Sequence, residues 1–213
     1  CSKWFESLRN TICREIETLE ESKSKFKRKK WLRDPKGSER MGGGEMSILR
    51  GNTFEKAGVN ISTVFGKISK NLKGKIPGTE NSDKFWASGI SVVIHPFSPK
   101  IPAVHMNTRH IITKNSWFGG GMDATPSFKD LKEKKMIHDE LKKVCDQNKK
   151  NYKKYKKWCD EYFYLPHRKE VRGIGGIFFD YETKDWIKNF KFVRELGLSF
   201  IDISKIKMIS KLS

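Results

Sequence analysis

The chain has 213 residues, a length that suits one sizeable domain. Its 36% hydrophobic and 12% aromatic content is enough for a folded core, so the composition excludes wholesale disorder. The formal net charge of +19 comes mostly from lysine and predicts an anionic partner: a nucleic acid, an anionic membrane surface or a substrate with several carboxylates. Lysine runs are also ordinary solvated helix faces, so the charge alone selects none of these partners.

The cysteines and the apolar runs indicate where the protein works. Cys1, Cys13, Cys145 and Cys159 form no CxxC pair and show no zinc-like spacing with histidine, which indicates a reducing environment. No apolar run approaches the length that spans a membrane, and no secretory signal opens the chain. The sequence therefore predicts a cytoplasmic protein without a membrane span.

The first part of the chain predicts a helix followed by a β-meander. Apolar residues recur at helical spacing over Trp4–Lys30, whose second half is rich in lysine. A flexible glycine segment, Gly42–Gly44, then leads into a strand over Met46–Arg50. A turn at Gly51-Asn52 separates this strand from the next one, Gly58–Phe65.

Two strands joined by a proline-rich loop form the most informative segment of the sequence. Ser91–Pro96 and Val104–Arg109 predict this pair. Side chains alternate across a strand, so the polar residues of each strand share one face. Hydroxyl, imidazole, amide and guanidinium groups on one face can move protons and hold a carboxylate. The residues that share these faces are Ser91, Val93 and His95 on the first strand, and His105, Asn107 and Arg109 on the second.

The rest of the chain predicts two helical pieces, one strand and a last helix. The helical pieces lie between Ser127 and Tyr164, and Pro166 ends the second. A glycine-rich segment then leads into an apolar strand that ends near Asp180, and an amphipathic helix follows over Trp186–Leu196 before the chain frays. The order of elements lacks the alternating rhythm of a parallel sheet, so the predicted class is α+β with an antiparallel sheet.

The histidines allow both a structural and a functional interpretation. A lone histidine is more often structural, and His110 fits that alternative because it faces away from His105. His95 and His105 share the candidate hairpin, whereas His138 within a helix and His167 at a helix end would need tertiary contacts to join them. Their spacings match no compact metal motif, so spacing alone does not predict a metal.

Three isolated arginines stand out in a lysine-rich chain. Arg109, Arg168 and Arg172 suggest planar, bidentate contacts with carboxylates, for which lysine is a poor substitute. For Arg168 and Arg172 a structural ion pair with Glu170 or Asp180 is an equal alternative.

The glycine clusters at 119–121 and 173–176 lack the continuation and the position of nucleotide-binding loops, so no nucleotide cofactor is predicted.

Several motifs occur along the chain in a recognisable order: GGGEMSILRG, FEKAGVNIS, SVVIHP, VHMNTR, WFGGGMDATP and KKWCDEYFYLPHRKEVRGIGGIFFD. Together they closely resemble oxygen-dependent coproporphyrinogen III oxidase over nearly the whole chain. The resemblance implies a single domain over residues 1–213, with an antiparallel sheet flanked by helices on both faces. It also implies oxidative decarboxylation of the ring A and B propionates of coproporphyrinogen III to vinyl groups, which gives protoporphyrinogen IX in haem biosynthesis. Dioxygen is the co-substrate, and no organic cofactor takes part.

The resemblance also assigns roles to residues of the candidate face. Ser91 matches a substrate-contacting serine, and Asn107, Thr108 and Arg109 match a substrate-binding triplet. His105 matches the histidine assigned as proton donor. A tetracarboxylate substrate suits a cationic protein, and Arg109 in particular.

A divalent metal is a further implication of the resemblance. His95, His105, His138 and His167 match histidines that bacterial members assign to a divalent metal such as manganese. The match at His138 is the loosest, because the segment before it departs from the family pattern.

The two ends of the chain depart from the family. The chain begins with Cys1, and family members continue beyond Ser213 with further strands, a substrate loop and much of a homodimer contact. The sequence therefore predicts a C-terminally truncated form or half of a split enzyme, with a homodimer expected if the C-terminal part is present. The alternatives are an inactive remnant that only binds porphyrinogen and, from the net charge alone, a basic nucleic-acid-binding module. We expect no nucleic-acid partner and no membrane span.

Overall fold

A seven-stranded antiparallel sheet runs through the part of the chain that the structure describes. The structure is a computed structural model that describes residues 1–34, 36, 41–128 and 130–212, with side chains described as far as Ile203. The helices are α1 (Ser2–Leu19), α2 (Leu131–Gln147), α3 (Tyr152–Tyr162) and α4 (Trp186–Leu212). The strands are β1 (Lys27–Leu32), β2 (Gly42–Leu49), β3 (Phe54–Lys67), β4 (Lys84–Pro96), β5 (Ala103–Ile112), β6 (Ser116–Thr125), β7 (Tyr164–Leu165), β8 (Glu170–Val171) and β9 (Gly175–Glu182).

The strands follow the chain order across the sheet. The order is β1-β2-β3-β4-β5-β6-β9, and every neighbouring pair is antiparallel. A meander therefore builds most of the sheet, and β9 is added beside β6 after α2, α3 and the small β7–β8 hairpin. This arrangement confirms the predicted α+β class and the predicted hairpin of β4 and β5.

The predicted helix over Trp4–Lys30 is wrong in its second half. The helix α1 ends at Leu19, and Lys27–Leu32 forms β1, an edge strand whose side chains are almost all exposed. Charged residues are common on edge strands because they discourage pairing with other chains. A polar edge strand and a solvated helix end look alike in sequence, and only the pairing with β2 separates them.

Other element bounds also differ from the prediction. The segment Gly42–Gly44 belongs to β2 and is not a flexible lead-in. Most of the WFGGGMDATP motif, residues 117–125, lies in β6, a strand that the sequence patterns do not predict. The last helix, α4, continues to Leu212, well past Leu196. The prediction that the chain frays after the amphipathic part of this helix is therefore wrong for the described residues.

One face of the sheet is covered by α1 and α4. Apolar residues of α1, such as Phe5 and Leu8, share a buried cluster with Val92 of β4, Met106 of β5 and Phe192 of α4. The helix α2 packs on α4, and α3 lies along β9, where its Tyr162 ring reaches the opposite face. That opposite face is more open over β4 and β5. No helix in the described part of the chain is long and apolar enough to cross a membrane.

Candidate active site

The strand register gathers the predicted polar side chains on the open face of the sheet. Ser91 lies directly opposite Asn107, Val93 opposite His105, and Gly89 opposite Arg109. Residues directly opposite in an antiparallel pair point to the same side. The alternation in the sequence therefore predicted this shared face correctly.

A cleft of about 270 Å³ opens on this face. Its floor comes from β4, β5 and β6, and its wall comes from aromatic rings at the end of α3 and on β9. Tyr162 and Phe178 form that wall as a stacked pair, with ring centroids 4.5 Å apart. The polar side chains that line the cleft are Ser91, His105, Asn107, Arg109, Asp123 and Arg172.

His105 sits beside a second histidine and a buried carboxylate. Its ring centroid is 5.9 Å from that of His95, with the two rings nearly perpendicular. Its Nδ1 atom lies 3.7 Å from Oδ1 of Asp123, which is too long for a hydrogen bond but close enough for a charge interaction. Among the described residues this buried Nδ1 has no hydrogen-bond partner. A small movement of the ring would let Nδ1–H donate to Asp123.

Asp123 is held in place by Arg172. The Arg172 guanidinium donates to Oδ2 of Asp123 from Nη2 at 2.7 Å and from Nε at 3.2 Å. It also stacks on the Phe163 ring, with its central carbon 3.8 Å from the ring centroid. The sequence suggested Glu170 or Asp180 as a structural partner for Arg172, and that is wrong: its partner is Asp123, which sequence reasoning missed. Asp123 alternates along β6 in step with Gly119 and Gly121, so its side chain points to the same face of the sheet as theirs would. This alternation was the sequence signal that could have placed Asp123 in the site.

Arg109 is fixed by two side-chain contacts. Its Nη2 donates to Oδ2 of Asp180 at 2.5 Å, and its Nη1 donates to Oδ1 of Asn107 at 3.1 Å. The amide nitrogen of Asn107 donates in turn to the Ile90 carbonyl at 3.3 Å. Arg168, by contrast, pairs with Glu170 on the surface, with Nε 2.7 Å from Oε1, as one of the sequence alternatives predicted.

A second cleft of about 270 Å³ continues from the first toward the β1 edge of the sheet. Ser91, Asn107 and Arg109 line both clefts, and Trp31 and Asn60 line the second alone. The three shared residues therefore stand in the middle of a longer groove, which has room for a ligand larger than either cleft. A larger cleft of about 670 Å³ lies between α2 and α4, but none of the predicted site residues lines it.

Thr108 does not share the face of its neighbours. It is 0% exposed, and its methyl group packs close to Gly120 on the α4 side of β5. Strand alternation requires this, because residue 108 points opposite to residues 107 and 109. The Thr108 hydroxyl cannot reach the cleft, so a substrate contact could involve only its backbone.

The four histidines predicted for a metal do not converge. His95 and His105 are neighbours, but His167 is exposed in the turn between β7 and β8. His138 is buried, and both its ring nitrogens are engaged: Nε2–H donates to the Ile174 carbonyl at 2.8 Å, and Nδ1 accepts from the Tyr152 hydroxyl at 2.8 Å. The described residues contain no group of three or more histidine, cysteine, aspartate or glutamate side chains that could hold a metal ion. This arrangement does not fit the predicted four-histidine metal site.

Comparisons with known proteins agree with the motifs in the sequence. The family model described as coproporphyrinogen III oxidase matches residues 1–211. An oxygen-dependent coproporphyrinogen-III oxidase from Rickettsia rickettsii (strain Sheila Smith) is 47% identical, over 99% of this chain and 77% of the relative. Relatives with the same name from Rickettsia africae (strain ESF-5) and Rickettsia bellii (strain OSU 85-389) are each 46% identical. The alignment with the Rickettsia africae relative covers 99% of this chain and 77% of that relative. The alignment with the Rickettsia bellii relative covers 95% of this chain and 74% of that relative.

Proposed function

This chain belongs to the coproporphyrinogen III oxidase family, and we propose that the groove on the open face of its sheet is the active site. The activity is the oxygen-dependent oxidative decarboxylation of coproporphyrinogen III in haem biosynthesis, with dioxygen as co-substrate. The ring A and B propionates become vinyl groups, and each loses carbon dioxide and one side-chain proton while the two electrons released reduce dioxygen. The observation that carries the proposal is the convergence of Ser91, His105, Asn107 and Arg109 on one groove.

Arg109 is the proposed anchor for a propionate carboxylate. Its guanidinium is always charged and has five N–H donors, of which Asp180 and Asn107 each accept one. The remaining donors can take a carboxylate in a planar, charge-assisted contact. Ser91 and Asn107, which are paired across β4 and β5 next to this position, line the groove and offer polar contacts for the macrocycle.

His105 is the proposed residue for proton transfer. A pyrrole becomes far more reactive toward dioxygen once its N–H proton is removed, and imidazole is the side chain suited to take and return a proton near neutral pH. Asp123, held by Arg172, lies on the Nδ1 side of the ring and favours a proton on that nitrogen. Nε2 is then left as the proton acceptor toward the substrate.

The aromatic wall has a separate part in the reaction. The stacked rings of Tyr162 and Phe178 give the groove an apolar side against which a macrocycle can pack. Packing of this kind orients the substrate and removes water from the reacting side chain. The four candidate histidines do not converge, so the proposed substrate binding and proton transfer depend on the side chains of the groove.

The partners and setting are further proposals. We infer a cytoplasmic location, one domain over residues 1–213 and, where the C-terminal part of the family chain is present, a homodimer, on the basis of the family motifs. The cationic surface, with a net charge of +19, suits a substrate that carries four carboxylates.

The experiment that tests the function is an assay of the purified chain with coproporphyrinogen III, prepared without oxygen and then aerated. We expect carbon dioxide release and vinyl products that depend on air. Arg109→Ala should raise KM about tenfold or more, because a charge-assisted contact is lost, and it should weaken substrate binding more than it alters folding. Arg168→Ala is the matched control, since its ion pair with Glu170 lies on the surface, and it should behave as wild type.

Two results would contradict the proposal. A folded wild-type chain that binds the porphyrinogen but releases no carbon dioxide in air would favour the alternative of a binding protein without catalysis. An Arg109→Ala variant that loses activity with unchanged substrate affinity would remove the carboxylate role from Arg109.

A further inference from the structure

We propose that Asp180 is a positioning residue: it holds the Arg109 guanidinium in the orientation that receives a propionate carboxylate of the substrate. This inference rests on the proposed function and adds a residue that the sequence motifs did not assign to the site. The contact that suggests it is the ion pair between Nη2 of Arg109 and Oδ2 of Asp180, at 2.5 Å. The Asp180 side chain is only 15% exposed, so solvent screens this pair less than a surface pair.

The ion pair reaches across an intervening strand. Arg109 lies on β5 and Asp180 on β9, and β6 runs between them. The residue of β6 at this point is Gly119, where an added Cβ would lie 2.2 Å from Oδ1 of Asp180 and 3.1 Å from Nε of Arg109. Any side chain at position 119 would therefore occupy the space through which the two charged groups meet.

The backbone of β9 is irregular at the point where it passes Gly119. Phe179 pairs with Gly120 and Glu182 pairs with Phe118, so Asp180 and Tyr181 together face the single residue Gly119. This is a β-bulge, a device that redirects a side chain. Tyr181 adopts a φ of 56°, a left-handed conformation that is uncommon for a residue with a side chain, and its N–H donates to Oδ1 of Asp180 at 3.0 Å.

The two contacts of Arg109 use different N–H donors of its guanidinium. Asp180 accepts from Nη2 and Asn107 accepts from Nη1, which fixes the plane of the guanidinium and leaves further N–H groups for a ligand. A flexible arginine would have to be ordered when the substrate binds, and that ordering weakens binding. Asp180 removes part of this cost before the substrate arrives.

The opposite role for Asp180 is a competitor that occupies Arg109 until the substrate displaces it. The two roles predict opposite changes in affinity when the carboxylate is removed. A positioning residue makes binding weaker when it is lost, whereas a competitor makes binding tighter.

The test is a double-mutant cycle on Arg109 and Asp180, measured as the Kd for coproporphyrin III by fluorescence and as KM and kcat for coproporphyrinogen III. Asp180→Ala is expected to raise Kd and KM by about tenfold, with kcat changed by less than about twofold. Asp180→Asn, which keeps an acceptor oxygen, should lie between Asp180→Ala and wild type. In an Arg109→Ala background, Asp180→Ala should add less than about a twofold change, because its effect passes through Arg109.

The matched control is Glu170→Ala, which removes the carboxylate of the exposed Arg168–Glu170 pair and should leave Kd unchanged. Tighter binding by Asp180→Ala would overturn the positioning role in favour of competition. An equal loss of affinity in the Arg109→Ala background would show that Asp180 acts on folding or on another contact. If Arg109→Ala itself leaves Kd unchanged, the proposed carboxylate role of Arg109 fails, and that outcome is distinct from a failure at Asp180.

Discussion

Individual side chains divide here into those that face the groove and those that hold the groove in shape, and His138 belongs to the second group. It joins the hydroxyl of Tyr152 on α3 to the carbonyl of Ile174, just before β9. Burial lowers the pKa of His138, which keeps the ring neutral and able to accept and donate at once. Ile174 follows Arg172 by two residues, so this link also supports the segment that holds Asp123.

The first prediction concerns the removal of this link. His138→Ala is expected to lower the free energy of unfolding by about 2–4 kcal/mol, because it opens a cavity and leaves the Ile174 carbonyl without its donor. Urea unfolding followed by circular dichroism measures this change. His167→Ala, at an exposed turn, is the control and should change it by less than about 0.5 kcal/mol. Calorimetric titration with Mn²⁺ should give the same result for His138→Ala as for wild type, and a selective loss of Mn²⁺ binding in that variant would contradict the structural role.

Residue patterns predicted only those groove residues whose direction follows from alternation along adjacent strands. Ser91, His105, Asn107 and Arg109 could be placed on one face because their parity along two adjacent strands fixes their direction. Asp123 and Asp180 could not be assigned, because their partners lie on other strands and depend on the register of β6 and β9. The partner of Arg172 was missed for the same reason.

At the scale of elements, one carboxylate joins two connections of the meander. Glu20, directly after α1, accepts backbone N–H bonds from Ser22 at 3.0 Å, Asn52 at 2.7 Å and Phe54 at 3.1 Å. The turn between β2 and β3 can close over this carboxylate because residue 51 is glycine, where an added Cβ would lie 2.2 Å from the Glu20 carboxyl carbon. The helix α1 is thereby fixed to the sheet at its C-terminal end.

The second prediction follows from the charge of Glu20. Burial alone would raise its pKa, but the backbone donors outweigh burial and lower the pKa from 4.5 to about 2. A carboxyl with a lowered pKa stabilises the fold above its ordinary pKa, and this contribution is lost as the pH falls from 4.5 toward 2. Glu20→Gln should therefore lower the unfolding free energy by about 2–3 kcal/mol near neutral pH, with a difference that shrinks in acid. Glu6→Gln, on an exposed part of α1, is the control, and an equal loss there would refute the explanation.

The elements themselves show where sequence patterns are ambiguous. The strand β1 was predicted as the end of a helix because Lys27–Lys30 has no apolar alternation, and an edge strand exposed on both faces needs none. The strand β6 carries Gly119–Gly121, and glycine weakens any strand prediction. Both became strands through pairing with their neighbours, which is a tertiary effect that local propensity does not record.

At the scale of the whole molecule, the sheet and α4 are joined by a polar link inside an aromatic cluster. Nε2 of His110 accepts a hydrogen bond from the Trp186 indole at 3.3 Å and lies 2.8 Å from the Ser116 hydroxyl. The His110 ring stacks on Phe118, with centroids 4.4 Å apart. Since Nε2 accepts from the Trp186 indole, the ring must be neutral. A second proton on Nε2 would break the contact with Trp186, although the Ser116 hydroxyl could then accept from it.

The stability of the molecule should therefore depend on pH through His110. Burial lowers its pKa from 6.5 to about 4, so the unfolded chain binds this proton more readily than the folded one. The stabilisation is fully present above the ordinary value of 6.5 and is lost as the pH falls from there toward 4. Between about pH 7 and about pH 5 this group alone should remove about 2 kcal/mol of unfolding free energy.

Urea unfolding at these two pH values tests the third prediction with His110→Gln, whose side-chain oxygen can still accept from Trp186. The variant should be less stable than wild type near neutral pH, because the stacking on Phe118 is lost. It should nevertheless lose about 2 kcal/mol less than wild type on acidification, since the titrating group is gone. His167→Gln, an exposed histidine, should keep the wild-type dependence. If His110→Gln kept it as well, the loss of stability in acid would have to come from other groups, and His110 would be a packing residue without a role in the pH response.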